Sequence, residues 1–227
     1  MPKAVIFDID GTLVDSVDLH AKAWKEAFQH FGYDFDLGEI RHQIGKGSDK
    51  LVPHFLPPKE VDHIGKELDK FRGKLWKSKY LSKVKPFPKV RELFQRILQD
   101  GKRIVLASSA KGDELQAYKK IAGIDDLVDK ETSSDDVENS KPDPDIIHAA
   151  MKKLGDVDPH EVIMVGDTPY DIEAAKKAGV PTIAVLCGGF PEIELQGAGA
   201  AAIYHDPADL LKRYDGSPLA DRKEQAA

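Results

Sequence analysis

The chain has 227 residues, 41% of them hydrophobic, so it can bury one substantial core or one core with a smaller lobe. A net charge of −6 gives no overall basic surface, and we therefore expect no nucleic-acid partner. The single cysteine, Cys187, cannot form an internal disulfide, and the start of the chain does not resemble an export signal. Because its apolar run at residues 4–7 is too short to span a bilayer, we expect a cytoplasmic protein without a membrane partner.

The first apolar run, at residues 4–7, ends abruptly at two acids, Asp8 and Asp10, which Gly11 follows. A continuous apolar run is typical of a parallel strand covered on both faces, and a glycine permits a sharp turn after it. Ligands bind outside the carboxyl ends of such strands. Asp8 and Asp10 therefore lie where a phosphate or a metal would bind, although an isolated pair of acids could equally cap a turn. Mg²⁺ is the cation that we expect to offset their repulsion.

The segment between residues 16 and 85 shows helical rather than strand patterns. Apolar residues recur at a helical period over residues 19–31, and shorter amphipathic helices follow that are broken at Gly45, Gly47, Pro53 and the Pro57-Pro58 pair. We expect an all-helical lobe at 16–85, inserted into a core domain made of residues 1–15 and 86–214. The polar residues 215–227 are expected to form a frayed tail.

Charge is concentrated in one part of this chain. Residues 41–90 hold 13 lysines and arginines against five acids. Solvated helix faces account for such a distribution, since Lys66, Lys70 and Lys77 lie largely away from the apolar stripe. In the alternative interpretation, some of these lysines overhang the site and attract an anionic substrate.

Polar residues also follow the later apolar runs. Residues 103–107 lead into Ser108 and Ser109, which either bind an anion at the start of the next helix or simply cap that helix. A weak strand signal at residues 127–128 precedes a polar loop that ends in Lys141-Pro142, where a lysine can serve as a compact positive charge.

Acids gather again after the apolar run at residues 161–165. Asp167 and Asp171 follow it, four residues apart across the turn into a helix, where both could point at a metal. Further strands are predicted at 182–186 and 201–204. Strands that alternate with helices predict an α/β fold with a doubly wound parallel sheet.

The string DIDGTLVDS at residues 8–16 resembles the first motif of the haloacid dehalogenase superfamily of phosphotransferases, D-x-D-G-T-(L/V)-x-D. The strand that ends in Ser108, the string S-K-P-x-P at Lys141 and the string G-D-T-x-x-D at Asp167 resemble its second, third and fourth motifs. The resemblance implies a Rossmann-like core with an inserted helical cap that closes over the active site.

The resemblance also implies roles for individual residues. Asp8 is the nucleophile and Asp10 the general acid and base. Ser108, with Ser109 beside it, and Lys141 bind the phosphoryl group. Mg²⁺ is held by Asp8, by the backbone carbonyl of Asp10 and by Asp167, with Asp171 in support.

These roles together imply a Mg²⁺-dependent phosphatase that hydrolyses a small phosphorylated metabolite and resembles phosphoglycolate phosphatase. The alternative is a sugar-phosphate mutase similar to β-phosphoglucomutase. His20 and Trp24 stand at the spacing where that mutase has matching residues. His20 could contact the substrate when the cap closes, or it could simply pack beside Trp24 one helical turn away. Against the mutase, Asp49 follows Gly47-Ser48 where the mutase places an arginine. This departure puts the binding of a second phosphate in doubt, although Lys50 or Lys70 could substitute for that arginine as a substrate contact.

A binding protein without catalytic activity is the third alternative. The complete set of acids argues against it, since a binder could lose them without harm.

Overall fold

The computed structural model describes residues 1–128 and 130–221. Its strands are β1 (Ala4–Phe7), β2 (Val14–Asp15), β3 (Lys85–Pro86), β4 (Arg103–Ala107), β5 (Glu131–Thr132), β6 (Val162–Gly166), β7 (Thr182–Val185) and β8 (Ala202–Tyr204). Its α-helices are α1 (Val17–His30), α2 (Leu37–His42), α3 (Ser48–Phe55), α4 (Pro58–Leu75), α5 (Val90–Gln99), α6 (Gly112–Ala122), α7 (Asp145–Leu154), α8 (Pro169–Lys177), α9 (Glu192–Ala198) and α10 (Pro207–Lys212). A π-helical turn, Trp76–Tyr80, extends α4.

Six strands form one sheet in the order β5-β4-β1-β6-β7-β8, and every neighbouring pair is parallel. The central strand, β1, is buried along its whole length, as its continuous apolar run predicted. The chain order runs outward from β1 in both directions, so the carboxyl end of β1 lies at the switch point of the sheet. In open α/β sheets this crevice is where ligands bind.

Helices cover both faces of the sheet, which confirms the predicted doubly wound α/β fold. On one face, Phe7 packs against Phe94 of α5 with ring centroids 4.6 Å apart, and α6 and α10 join the same cluster. On the other face, Ile6 lies in a cluster with Ile147 of α7 and Ala174 of α8.

The chain between β2 and β3 is helical and forms a hydrophobic cluster of its own around Trp24, Phe28 and Leu68. β2 and β3 pair antiparallel, so both crossings between this helical segment, called the cap here, and the sheet lie side by side. The end of the cap nevertheless packs with the core cluster, through Trp76 and Tyr80. The division into residues 1–15 plus 86–214 and 16–85 stays a prediction.

The cap contacts the core domain through polar groups around its rim. The Gly47 N–H donates to Ser140 Oγ at 2.9 Å, and Ser140 N–H donates to a carboxylate oxygen of Asp49 at 3.1 Å. Tyr170 Oη donates to the carbonyl of His42 at 2.7 Å. These contacts hold the cap against the core domain along part of the rim of the space between them.

Three local predictions need correction. Pro53 lies inside α3 instead of breaking it, because burial of the neighbouring Leu51 and Val52 outweighs one lost backbone hydrogen bond. The edge strand expected at residues 127–128 lies at Glu131–Thr132, where β5 pairs with the end of β4.

The third correction concerns the tail. Leu219 is fully buried in the core cluster, so the chain is packed beyond Asp215. The remaining part of that prediction, residues 222–227, lies outside the described residues. Among the described helices, none combines the length and the apolar character needed to cross a bilayer.

Candidate active site

The predicted site residues converge at the carboxyl end of β1. Phe7 is in register with Leu106 of β4 and Val165 of β6, so the residues that follow these three strands emerge side by side. Asp8, Ser108 and Asp167 are consequently neighbours, and each is buried. The parallel register alone therefore assembles three of the predicted groups.

Lys141 reaches the same place from the loop before α7. Its ammonium nitrogen lies 2.5 Å from Asp8 Oδ1 and 2.7 Å from Asp171 Oδ1, and it donates to the Ala107 carbonyl at 3.2 Å. Burial lowers the pKa of Lys141, but the two carboxylates outweigh it and raise that pKa above its usual range. The lysine therefore stays charged inside the protein.

Asp8 is 5% exposed, and burial, helped by Asp171 and Asp10, raises its pKa to about 7 despite the opposing charge of Lys141. One lysine does not offset all the negative charge gathered here. A further cation would offset the negative charge that Lys141 leaves unbalanced.

Three buried carboxylates, those of Asp8, Asp167 and Asp171, each offer an oxygen within 4.8 Å of the others. Burial, together with Asp171 and Asp8, raises the pKa of Asp167 well above its usual range. Asp167 accepts a hydrogen bond from Thr12 Oγ1 through Oδ1 at 2.9 Å, while its buried Oδ2 has no partner among the described residues. An all-oxygen donor set with an unpartnered carboxylate oxygen fits a hard cation such as Mg²⁺.

Two glycines keep backbone close to that unpartnered oxygen. A Cβ on Gly11 would lie 2.2 Å from Asp167 Oδ2, and one on Gly188 would lie 1.7 Å from it. Any larger residue at either position would displace Asp167. The position of the Asp167 carboxylate therefore depends on glycine at both Gly11 and Gly188.

Asp171 was predicted to support the metal ligands. Its Oδ2 accepts hydrogen bonds from the N–H and Oγ1 of Thr168, which caps α8, and its Oδ1 faces Lys141. These contacts give Asp171 a direct role in holding Lys141. Its support of a metal stays a prediction.

Asp10 turns its carboxylate away from the three-carboxylate group and toward α1. Its Oδ1 accepts from Ser16 Oγ at 2.5 Å and lies 3.0 Å from His20 Nε2, which is also 3.0 Å from the Tyr118 hydroxyl. Burial works to raise the pKa of Asp10, but the charge of His20 and the hydrogen bonds from His20, Ser16 and Tyr118 lower it overall. Asp10 is thus held as a carboxylate before any substrate binds.

His20 is held firmly in this arrangement. Its ring stacks on Trp76 with centroids 3.6 Å apart, and the residue is 7% exposed. The sequence left open whether His20 serves substrate or merely packs in a core, and the structure shows a histidine that packs and also contacts Asp10.

Ser108 and Ser109 differ in placement. Ser108 is fully buried, and its Oγ accepts from the Ala110 N–H at 3.0 Å, so it closes the turn before α6. Ser109 is partly exposed, lines the cavity and donates to the Gly45 carbonyl of the cap at 3.3 Å.

A cavity of about 290 Å³ lies between the cap and the carboxyl ends of the strands. Asp8 and Asp10 line it from the core domain, and His20, Trp24 and residues 44–49 line it from the cap. Further polar residues that line it, none predicted from the sequence, are Asp69, Arg72, Lys111, Glu114, Asp135 and Glu138.

The two cap lysines predicted as substrate contacts are not among the residues that line this cavity. Lys50 pairs with Asp143 at 2.8 Å on the rim, and Lys70 is exposed. Arg72 lies in the cavity instead. It stands four residues after Leu68 and three before Leu75, so its place on the apolar side of α4 was readable from the helical period.

The sequence pattern of the haloacid dehalogenase-like hydrolase family matches residues 5–185. A Clostridium perfringens protein, provisionally named pyrophosphatase PpaX, is 30% identical over 212 residues, which cover 93% of this chain and 96% of that protein. The phosphoglycolate phosphatase of Rhodospirillum rubrum is 27% identical over 219 residues, 92% of this chain and 90% of its own.

A solved structure supports the same assignment. The crystal structure of a hydrolase from Pseudomonas syringae matches with a TM-score of 0.83 at 28% identity, covering 96% of this chain and 100% of that one. The family match spans well over half of the sequence. The chain therefore belongs to the haloacid dehalogenase-like hydrolase family, as its four motifs predicted, and is an enzyme of that family.

Proposed function

We propose that this enzyme is a Mg²⁺-dependent phosphatase that hydrolyses a small phosphomonoester through an aspartyl-phosphate on Asp8. One observation carries the proposal: a buried carboxylate, Asp8, lines the cavity between cap and sheet and lies beside a buried ammonium, Lys141. The name of the relative from Rhodospirillum rubrum, phosphoglycolate phosphatase, supports it.

In the first step, a carboxylate oxygen of Asp8 attacks phosphorus, the P–O bond to the leaving group breaks, and the leaving oxygen takes the electron pair. Lys141 and Ser108 offset the negative charge on the phosphoryl oxygens. Asp10 donates a proton to the leaving oxygen. An approaching phosphate favours the protonated form of Asp10, because a like charge disfavours the ionised form.

In the second step, water attacks the phosphorus of the aspartyl-phosphate, the bond between phosphorus and the Asp8 oxygen breaks, and Asp10 accepts a proton from the water. The hydrogen bonds from Ser16 and His20 suit this step, since they stabilise the carboxylate form of Asp10. Release of inorganic phosphate regenerates Asp8.

Mg²⁺ would be held by Asp8, by Asp167 and by the backbone carbonyl of Asp10, and when bound it supplies positive charge that neutralises the transferring group. The unpartnered Oδ2 of Asp167 supports this placement.

The mutase alternative requires the cap to hold a second phosphate. The cap lysines named for that task are engaged or outside the cavity, since Lys50 pairs with Asp143 and Lys70 is exposed. Lys46, which does line the cavity, lies 2.5 Å from Gln43 Oε1 and over the ring of Tyr170. These contacts favour a hydrolase.

The proposal is tested with p-nitrophenyl phosphate, measured with Mg²⁺ and with EDTA, for the wild type and for Asp8→Asn. We expect metal-dependent turnover in the wild type and a loss on the order of 10⁴-fold or more in the variant. Asp125→Asn, at an exposed position, is the control. Turnover that persists in Asp8→Asn, or that is the same with EDTA as with Mg²⁺, would contradict the mechanism.

A further inference from the structure

Three residues form a polar wall of the cavity where cap and core domain meet: Asp69 and Arg72 of α4 in the cap, and Glu114 of α6 in the core domain. Each carries a buried atom that has no hydrogen-bond partner among the described residues, namely Asp69 Oδ1, Arg72 Nε and Glu114 Oε1. Glu114 is only 2% exposed. An unpartnered polar atom that is buried costs free energy unless a ligand or water satisfies it.

The charges of this polar wall balance within the protein. Arg72 lies 3.5 Å from Asp69 and 4.0 Å from Glu114, and Lys111 pairs with the second oxygen of Asp69 at 2.9 Å. Two cations thus face two carboxylates. An anionic group placed here would meet Glu114 and Asp69 without a free cation to offset it, so the polar wall disfavours a second phosphate or a carboxylate.

The unpartnered atoms include both kinds of hydrogen-bonding group. Arg72 Nε is a donor, whereas the oxygens of Asp69 and Glu114 are acceptors. A hydroxyl group both donates and accepts, so neighbouring hydroxyls can satisfy donors and acceptors together. A purely anionic leaving group accepts only and leaves both carboxylate oxygens unpaired.

The size of the cavity limits the ligand as well. At about 290 Å³ it stands at the lower end of the range for ligand pockets, roughly 300–1,000 Å³. A cavity of this volume holds one small metabolite but not a polymer.

From these observations we infer that the leaving group of the substrate is a neutral polyol or sugar whose hydroxyls bind Asp69, Arg72 and Glu114. The inference rests on the proposed phosphatase function and adds the substrate class to it. It separates this enzyme from one built for phosphoglycolate, pyrophosphate or a sugar bisphosphate, whose leaving groups are charged.

Two pairs of probes that differ in a single group test the inference. Sorbitol 6-phosphate and 6-phosphogluconate differ at one terminal carbon, as a hydroxymethyl group or a carboxylate. 2-Hydroxyethyl phosphate and phosphoglycolate differ in the same way on a shorter chain. We expect kcat/KM of the wild type to favour the hydroxylated member of the longer pair by about 100-fold or more, because a carboxylate leaves buried groups unpaired.

Glu114→Gln removes one carboxylate charge from the polar wall and retains its shape. We expect this variant to reduce the ratio of kcat/KM between sorbitol 6-phosphate and 6-phosphogluconate by about tenfold, as suits the loss of one charged hydrogen bond. Asp113→Asn is the matched control, because Asp113 is the adjacent acid on α6 but points outward to pair with Lys77. The ratio of kcat/KM between the two probes in Asp113→Asn should equal that of the wild type.

The outcomes separate the two proposals. If p-nitrophenyl phosphate is hydrolysed with Mg²⁺ but phosphoglycolate, pyrophosphate or 6-phosphogluconate is preferred, the phosphatase stands and the substrate class is wrong. If Glu114→Gln has the same ratio of kcat/KM between sorbitol 6-phosphate and 6-phosphogluconate as the wild type, the proposed role of the polar wall is also wrong. Absence of turnover on every probe overturns the proposed function and this inference with it.

Discussion

The ammonium of Lys141 lies 2.5 Å from Oδ1 of Asp8, and both groups are buried. The pair comes from distant parts of the chain, and Asp171 shares the lysine at 2.7 Å. In a buried cluster of charges such as Lys141, Asp8 and Asp171, removal of one group destabilises the fold because it leaves its partner as an uncompensated buried charge.

We predict that Lys141→Met destabilises the metal-free protein by about 3–5 kcal/mol, because it leaves two buried carboxylates without a cation. The double variant Asp8→Asn/Lys141→Met should lose less than the sum of the single variants, with a coupling of about 0.5–3 kcal/mol. Urea unfolding in EDTA measures all four proteins. Additive losses would mean that the two groups do not depend on each other.

Asp167→Asn should weaken the use of Mg²⁺ far more than it weakens folding. The change removes a charged oxygen that has no protein partner, while Thr12 can still hydrogen-bond to the amide oxygen. We expect the Mg²⁺ concentration for half-maximal turnover to rise on the order of 100-fold. A magnesium titration with p-nitrophenyl phosphate checks this, and an unchanged midpoint would remove Asp167 from the metal site.

We predict that His20 acts as a positioning residue for Asp10. His20→Ala removes the contact that orients Asp10 Oδ1 and leaves the Asp10 carboxyl group free to turn away from the leaving oxygen, so it should slow substrates with poor leaving groups, which need a proton, by about 10²–10⁴-fold. Turnover of p-nitrophenyl phosphate, whose leaving group departs with little need for protonation, should fall much less. The readout is the dependence of kcat/KM on leaving-group pKa.

A matched control for His20 lies on the same helix. His30 stacks on Phe71 with centroids 4.0 Å apart, as His20 stacks on Trp76, but it is exposed. His30→Ala should leave the leaving-group dependence unchanged. An equal loss on all substrates in His20→Ala would instead indicate structural damage.

The stability of the protein should depend on pH through Glu114. Burial raises the pKa of Glu114, Arg72, His20 and Lys77 lower it, and Asp10 raises it, with burial dominant. A carboxyl group whose folded pKa is raised costs stability once pH exceeds its unfolded pKa, so the contribution of Glu114 to wild-type stability should fall from acidic to neutral pH.

Glu114→Gln removes this pH-dependent cost. Relative to the wild type, the variant should gain stability from pH 4 to pH 8, by about 1.4 kcal/mol for each unit of pKa shift. Urea unfolding at both pH values, in EDTA, measures the difference. A gap between wild type and variant that stays constant with pH would show that Glu114 ionises as freely in the folded protein as in the unfolded chain.

The sheet and the floor of the site were predictable because their cause is local. Continuous apolar runs predict buried parallel strands, and acids or hydroxyls directly after them must meet where parallel strands end together. Asp8, Ser108 and Asp167 were placed in this way. Lys141 was assigned from the resemblance of its motif, since a lysine before a proline carries no such signal by itself.

The cap side of the site was decided by tertiary structure. Charged residues on amphipathic helices read as solvated faces, and this interpretation suits Lys70. It fails for Glu114, which is buried where α4 and α6 approach each other, while the helical period places Arg72 on the apolar side of α4 without showing that it faces Glu114. Helical periodicity reports which side of one helix is apolar, but which polar group a second helix covers depends on contacts between distant segments. The sequence alone determined the fold and the polar cluster at the strand ends, whereas the packing of the cap on the core decided which groups line the cavity.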